Sequence, residues 1–101
     1  MLFRSQLKLA DMATSTAAAR LLVYAAAERA APWPALARAL ATDTACEVTL
    51  EAMRVHGGYG YTAEFPVERY YRDAARLTFF PRDNDEERRA GAEALVGPLR
   101  T

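Results

Sequence analysis

The sequence predicts an all-α fold, an up-and-down helical bundle in which residues 1–101 form one domain. Three observations predict it. Apolar residues recur at spacings of three and four, and no segment shows the period-two pattern of a strand. Glycine and proline gather at Pro32 and Pro34, at Gly57, Gly58 and Gly60, at Pro81, and at Gly97 with Pro98. Those points divide the chain into four periodic segments with short connections, and no repeat or low-complexity linker interrupts them.

The first segment, Leu2 to about Ala30, contains neither glycine nor proline and is dense in good helix formers. Phe3, Leu7, Ala10, Thr14, Ala17, Leu21 and Tyr24 form one apolar stripe along it, and Lys8, Asp11 and Arg20 fall away from that stripe. A helix of that length measures roughly 40 Å at about 1.5 Å per residue. A compact domain of this size has a radius of gyration of only ~13 Å, so an elongated bundle or an assembly is expected. Pro32-Trp33-Pro34 is expected to end the helix, because proline breaks the ladder and restricts its predecessor.

The second helix is expected from about Ala35 to Val55. Its buried face is read as Ala37, Leu40, Ala41, Thr44, Ala45, Val48, Ala52 and Val55. Asp43, Glu47 and Glu51 make an acidic row at i, i+4, with Arg54 three residues beyond Glu51. The row reads first as a solvated face and second as carboxylates meeting arginines of a neighbouring helix. A third helix opens at Pro66, a position that needs no N–H donor. Val67, Tyr70, Tyr71, Ala74 and Leu77 or Thr78 form its apolar face. Glu68–Arg72 and Arg69–Asp73 are i, i+4 charge pairs. Asn84, with Glu87 three residues on, reads as a capping box opening a fourth helix that Gly97-Pro98 stops.

Composition narrows the function classes. Apolar residues make up 51% of the chain, which is globular, and positive and negative side chains balance at 13 each. There is no basic field to attract nucleic acid, and no apolar run approaches the ~20 residues of a membrane span. The single Cys46 forms no internal disulfide and no signal-like segment opens the chain, so a cytoplasmic setting is expected.

Chemistry concentrates at His56-Gly57-Gly58-Tyr59-Gly60-Tyr61. Three glycines in four positions break the helical pattern and allow positive φ and close backbone approach. The spacing is not the dinucleotide fingerprint, and a plain helix–helix turn is the simpler reading. His56 can cap its helix, donate to a phosphate or act as a base. With no second histidine and no partnered nucleophile, capping or packing is favoured, and no metal site is expected. Tyr59, Tyr61, Phe65, Tyr70 and Tyr71 read as packing aromatics, and Cys46 as a small core filler.

Two stretches resemble the C-terminal domain of the acyl-CoA dehydrogenase family. One is Leu9-Ala10-Asp11-Met12-Ala13-Thr14 with Ala18-Ala19-Arg20-Leu21-Leu22-Val23-Tyr24. The other runs from Ala52 through His56-Gly57-Gly58-Tyr59-Gly60-Tyr61 and Pro66-Val67-Glu68-Arg69-Tyr70-Tyr71-Arg72-Asp73 to Ala74. The resemblance implies the family's C-terminal four-helix bundle with its first helix largely missing. It also implies FAD-dependent α,β-dehydrogenation of acyl-CoA thioesters, in fatty acid metabolism, by a flavoprotein assembled as an oligomer. Arg54, Val55, His56, Gly57 and Gly58 match the loop that lies against the FAD of a neighbouring subunit, largely through backbone groups.

Three departures qualify the resemblance. Arg54 stands where the family usually has glutamine. Pro81 falls at the usual position of the glutamate base, and Asp83 or Asp85 replaces it only if the loop shifts. The chain also begins inside the family's domain. Acyl-CoA is therefore expected as a substrate only in a complete assembly, a homo-oligomer or a complex with a subunit supplying the upstream domains. The alternative is a non-catalytic helical oligomerisation module. In either case, a missing bundle helix leaves an apolar stripe of the long helix bare, and self-association or poor solubility is expected.

Overall fold

The computed structural model describes residues 2–57 and 66–98. They form four α-helices, α1 (Leu2–Ala26), α2 (Trp33–His56), α3 (Pro66–Leu77) and α4 (Asn84–Val96), with no strand among the described residues. The molecule is elongated, 47 × 29 × 25 Å, as the length of the first helix requires. The hub is α2. It packs against α1, α3 and α4, and α1 touches neither α3 nor α4 among the described residues.

Small residues make these contacts. Ala19 and Ala26 of α1, Ala37 and Ala39 of α2, Ala74 of α3 and Gly91 of α4 are buried, along with Met53 and Val67. An ideal Cβ built on Gly91 would lie 2.5 Å from Leu36 Cδ2 and 2.9 Å from its Cγ, so α4 sits close to α2 only because residue 91 has no side chain.

Several sequence expectations need correction. The prolines do not end α1, which stops at Ala26; Ala27, Glu28 and Arg29 continue as turns bonded to Val23, Ala25 and Ala26. Pro32 and Pro34 instead open α2, as N-cap and within its first turn, where a missing N–H costs nothing. The stripe from Leu7 to Tyr24 does not face the core. Leu7 is 52%, Leu21 69% and Tyr24 68% exposed, and the side that meets α2 carries Ala19 and Ala26. The Phe3 side chain lies outside the described residues. α1 is apolar on both sides, and periodicity picked out the side left bare.

α2 has the converse property of burying two faces. Ala37 and Ala41 line a groove with Ala26 of α1, whereas Ala39 lies under α4. The single expected face captured the α1 side, although Leu40 and Val55 on it are 40% and 41% exposed. Asn84 is not the cap of α4. Asp83 is, its side chain accepting from the Asp85 N–H at 3.0 Å. Asn84 is instead 3% exposed, with its amide turned onto α2. Arg72 pairs with Glu68 at 2.7 Å as expected, but Arg69 lies over the Tyr70 ring rather than on Asp73.

Candidate functional site

The site begins where α2 ends. Arg54, Val55 and His56 occupy its last turn and are exposed, and Gly57 caps it at φ +66°, its N–H donating to the Arg54 carbonyl. That φ belongs to the left-handed region, where glycine avoids a steric cost. Among the described residues, nothing lies within 4 Å of where a Gly57 Cβ would be. Gly58, Tyr59, Tyr61 and Phe65 lie outside the described residues.

His56 Nδ1 lies 2.9 Å from the Ala52 carbonyl oxygen. A carbonyl only accepts, so Nδ1 carries the proton and the ring caps its own helix. This agrees with the capping expected for it.

α1 runs antiparallel to α2, which brings its N-terminal turns beside this end. Lys8 Nζ lies 3.7 Å from Glu51 Oε2, and Arg54 Nη1 pairs with Glu51 Oε1, so one carboxylate bridges both cations. A cleft of about 560 Å³ opens beside them, with Arg4, Lys8 and Asp11 on one wall and Arg54 and Val55 on the other. Arg4, Lys8 and Arg54 outnumber Asp11 and the bridging Glu51 by a single charge, a slight positive excess that suits an anionic ligand. The helix itself does not help, because a C-terminal end carries the negative pole of the dipole. A phosphate here would depend on the arginine and lysine side chains.

The acidic row divides between its two readings. Asp43 takes Arg88 from α4, and Glu51 takes Lys8 from α1, while Glu47 is exposed. Sequence reading missed Arg4 and Lys8 as neighbours of Arg54, since only the antiparallel register of two helices unites them.

At the far end of the bundle, Pro81 is exposed in the α3–α4 connection, beside Asp73, Arg76, Leu77 and Phe80. The two carboxylates that the sequence offered in its place have structural partners: Asp83 caps α4, and Asp85 bonds Arg88 at 3.1 Å. Cys46 is half-buried within α2. Among the described residues no group of three His, Cys, Asp or Glu side chains could hold a metal ion, and no helix is long and apolar enough to cross a membrane.

Residues 4–95 match the acyl-CoA dehydrogenase C-terminal domain family. A bundle hung on one central helix and ending in this glycine cap is thus a member of that family: the chain belongs to the acyl-CoA dehydrogenases through their C-terminal domain. A probable acyl-CoA dehydrogenase of Mycobacterium leprae is 43% identical over 98 residues, covering 90% of this chain and 25% of the relative. A short-chain-specific acyl-CoA dehydrogenase of Megasphaera elsdenii is 40% identical over 95 residues, covering 88% and 25%. A caffeyl-CoA reductase–Etf complex subunit of Acetobacterium woodii is 41% identical over 78 residues, covering 71% and 21%. A solved structure from work on the electron transferring flavoprotein of Acidaminococcus fermentans superposes with a TM-score of 0.87 at 38% identity, covering 94% of this chain and 27% of that one. The chain spans about a quarter of the length of the curated relatives it matches.

Proposed function

We propose that this chain is part of an FAD-dependent acyl-CoA dehydrogenase-like oxidoreductase acting on the CH–CH bond of acyl-CoA thioesters. It contributes an FAD-contacting loop and an oligomer interface. The observation that carries the reading is the family match over residues 4–95. The end of α2 supports it: a positive-φ glycine three residues past Arg54, with no described residue where its Cβ would be, and a cleft of slight positive excess lined by Arg54 and Val55 suit one edge of an anionic dinucleotide. Arg54 would supply charge, and Val55, His56, Gly57 and Gly58 mainly backbone groups. The flavin, when bound, supplies the electron acceptor for α,β-dehydrogenation. A neighbouring subunit or upstream domains supply the rest of its site, and acyl-CoA binds only in that complete assembly. The setting is cytoplasmic and the pathway class fatty acid metabolism.

Pro81 favours a second reading, a helical oligomerisation module without chemistry. Proline has no side-chain base, and Asp83 and Asp85 are committed to α4 and Arg88. Mixing the purified chain with FAD and a subunit supplying the upstream domains separates the two. The first reading predicts a yellow complex bleached by acyl-CoA. A colourless mixture without association contradicts it and supports the second.

A further inference from the structure

Glu51 stands near the end of α2, three residues ahead of Arg54. Its carboxylate oxygens are divided between cations from two helices. Oε1 takes Arg54 Nη1, and Oε2 lies 3.7 Å from Lys8 Nζ on α1. The Glu51 side chain is less exposed than either partner. Arg54 and Lys8 both line the large cleft, and Glu51 does not. It lines a smaller hollow of about 150 Å³ that also takes in Lys8 and Asp11. The carboxylate thus holds two cations of the cleft from outside its lining.

Both partners keep donors to spare. A guanidinium has five N–H donors and an ammonium three, so each can bond Glu51 and an anion together. Arg4, the third cation of the cleft, has no ion-pair partner among the described residues. What Glu51 removes is charge. The groups lining the cleft carry an excess of two positive charges, and Glu51 cancels one of them. Ion pairs as exposed as these are weak, so an arriving phosphate does not have to break a strong bond to draw on Arg54 and Lys8.

We propose that Glu51 is the counter-ion that sets the affinity of this cleft for phosphate groups. It steers the heads of Arg54 and Lys8 and withholds one unit of their charge, so that binding is moderated. This inference rests on the flavin contact proposed for Arg54 and adds to it a positioning residue outside the cleft lining. The two effects separate chemically. Glutamine keeps a side-chain oxygen for the N–H donors and removes the charge, whereas alanine removes both. Either replacement is a good helix former at a partly exposed position, so the fold is kept.

Flavin retention by the complete assembly tests the proposal, read as absorbance per protein after gel filtration over a dilution series. Glu51→Gln should hold flavin down to a protein concentration at least about threefold lower than the parent does, the weight of one nearby charge even in water. Added salt should shrink that gain. Glu51→Ala should hold flavin less well than Glu51→Gln, because nothing then steers Arg54 and Lys8. Retention by Glu51→Gln equal to or below the parent's, a gain indifferent to salt, or equal retention by the two variants overturns the proposal. Arg54→Ala run alongside separates the two readings. If it releases flavin while Glu51→Gln changes nothing, only the counter-ion role falls. If it too changes nothing, the flavin contact falls and the counter-ion role with it.

Discussion

The side-chain amide of Asn84, the first residue of α4, donates to the main-chain carbonyl of Ala39 at 3.2 Å. The same nitrogen lies 2.7 Å from Thr42 Oγ1 and 2.9 Å from Asp43 Oδ1, and Asn84 Oδ1 is buried with no hydrogen-bond partner among the described residues. The two N–H groups of one amide are thus shared among three acceptors on α2, pinning the start of α4 to it. Asn84→Ala should destabilise the chain by about 1–3 kcal/mol, the cost of leaving buried polar groups unpaired. Asn84→Asp should cost more, because it sets a carboxylate among acceptors and beside Asp43. Urea unfolding followed by circular dichroism measures both; an Asp variant as stable as the Ala variant would contradict the assigned amide orientation.

A second prediction concerns Gly91. On an open helix surface Gly→Ala stabilises by about 1 kcal/mol. Here the new methyl meets Leu36 Cδ2 at 2.5 Å, and forced overpacking costs about 1–3 kcal/mol. Gly91→Ala should therefore be neutral to destabilising. Adding Leu36→Ala should restore the helix-propensity gain, giving a coupling of at least about 1 kcal/mol in a double-mutant cycle. Additive effects would mean that α4 does not sit against Leu36.

Arg38 reaches across from α2 to the other end of α3. Its guanidinium donates to the carbonyls of Leu77 and Arg82 at 3.4 Å and of Phe80 at 3.3 Å, closing the α3–α4 connection over the bundle. Arg38→Met keeps the aliphatic stem and removes these donors. A loss of about 1 kcal/mol is expected, with faster amide hydrogen exchange in α3's last turn and at the start of α4. Unchanged exchange there would show that the connection holds itself.

These contacts mark the limit of what the sequence discloses. Helix number, Pro66 as the start of α3 and Gly97 as the stop of α4 follow from local propensity and are legible in the chain. The faces were harder. α1 and α2 are apolar on two sides, so one hydrophobic stripe per helix describes each only partly. Asn84 shows why caps misread: Asp83 and Asn84 are both good cap residues, and only tertiary packing decides that one caps and the other anchors. Arg88 meeting Asp43 was foreshadowed by the acidic row, but its partner helix was not. The proposed site was legible in His56-Gly57-Gly58, while Arg4 and Lys8 joined it only through helix register.

The most direct test of the account is flavin retention by the complete assembly carrying Arg54→Ala. Arg54 is exposed, so its loss should not disturb the fold. A charge-assisted hydrogen bond to a phosphate is worth about 1.5–3 kcal/mol, which is roughly tenfold or more in affinity. The measurement is flavin absorbance per protein after gel filtration over a range of dilutions. The account predicts release of flavin at roughly tenfold higher protein concentration than in the parent, and release sharpened by added salt. Retention equal to that of the parent at every dilution would remove the end of α2 from the flavin site.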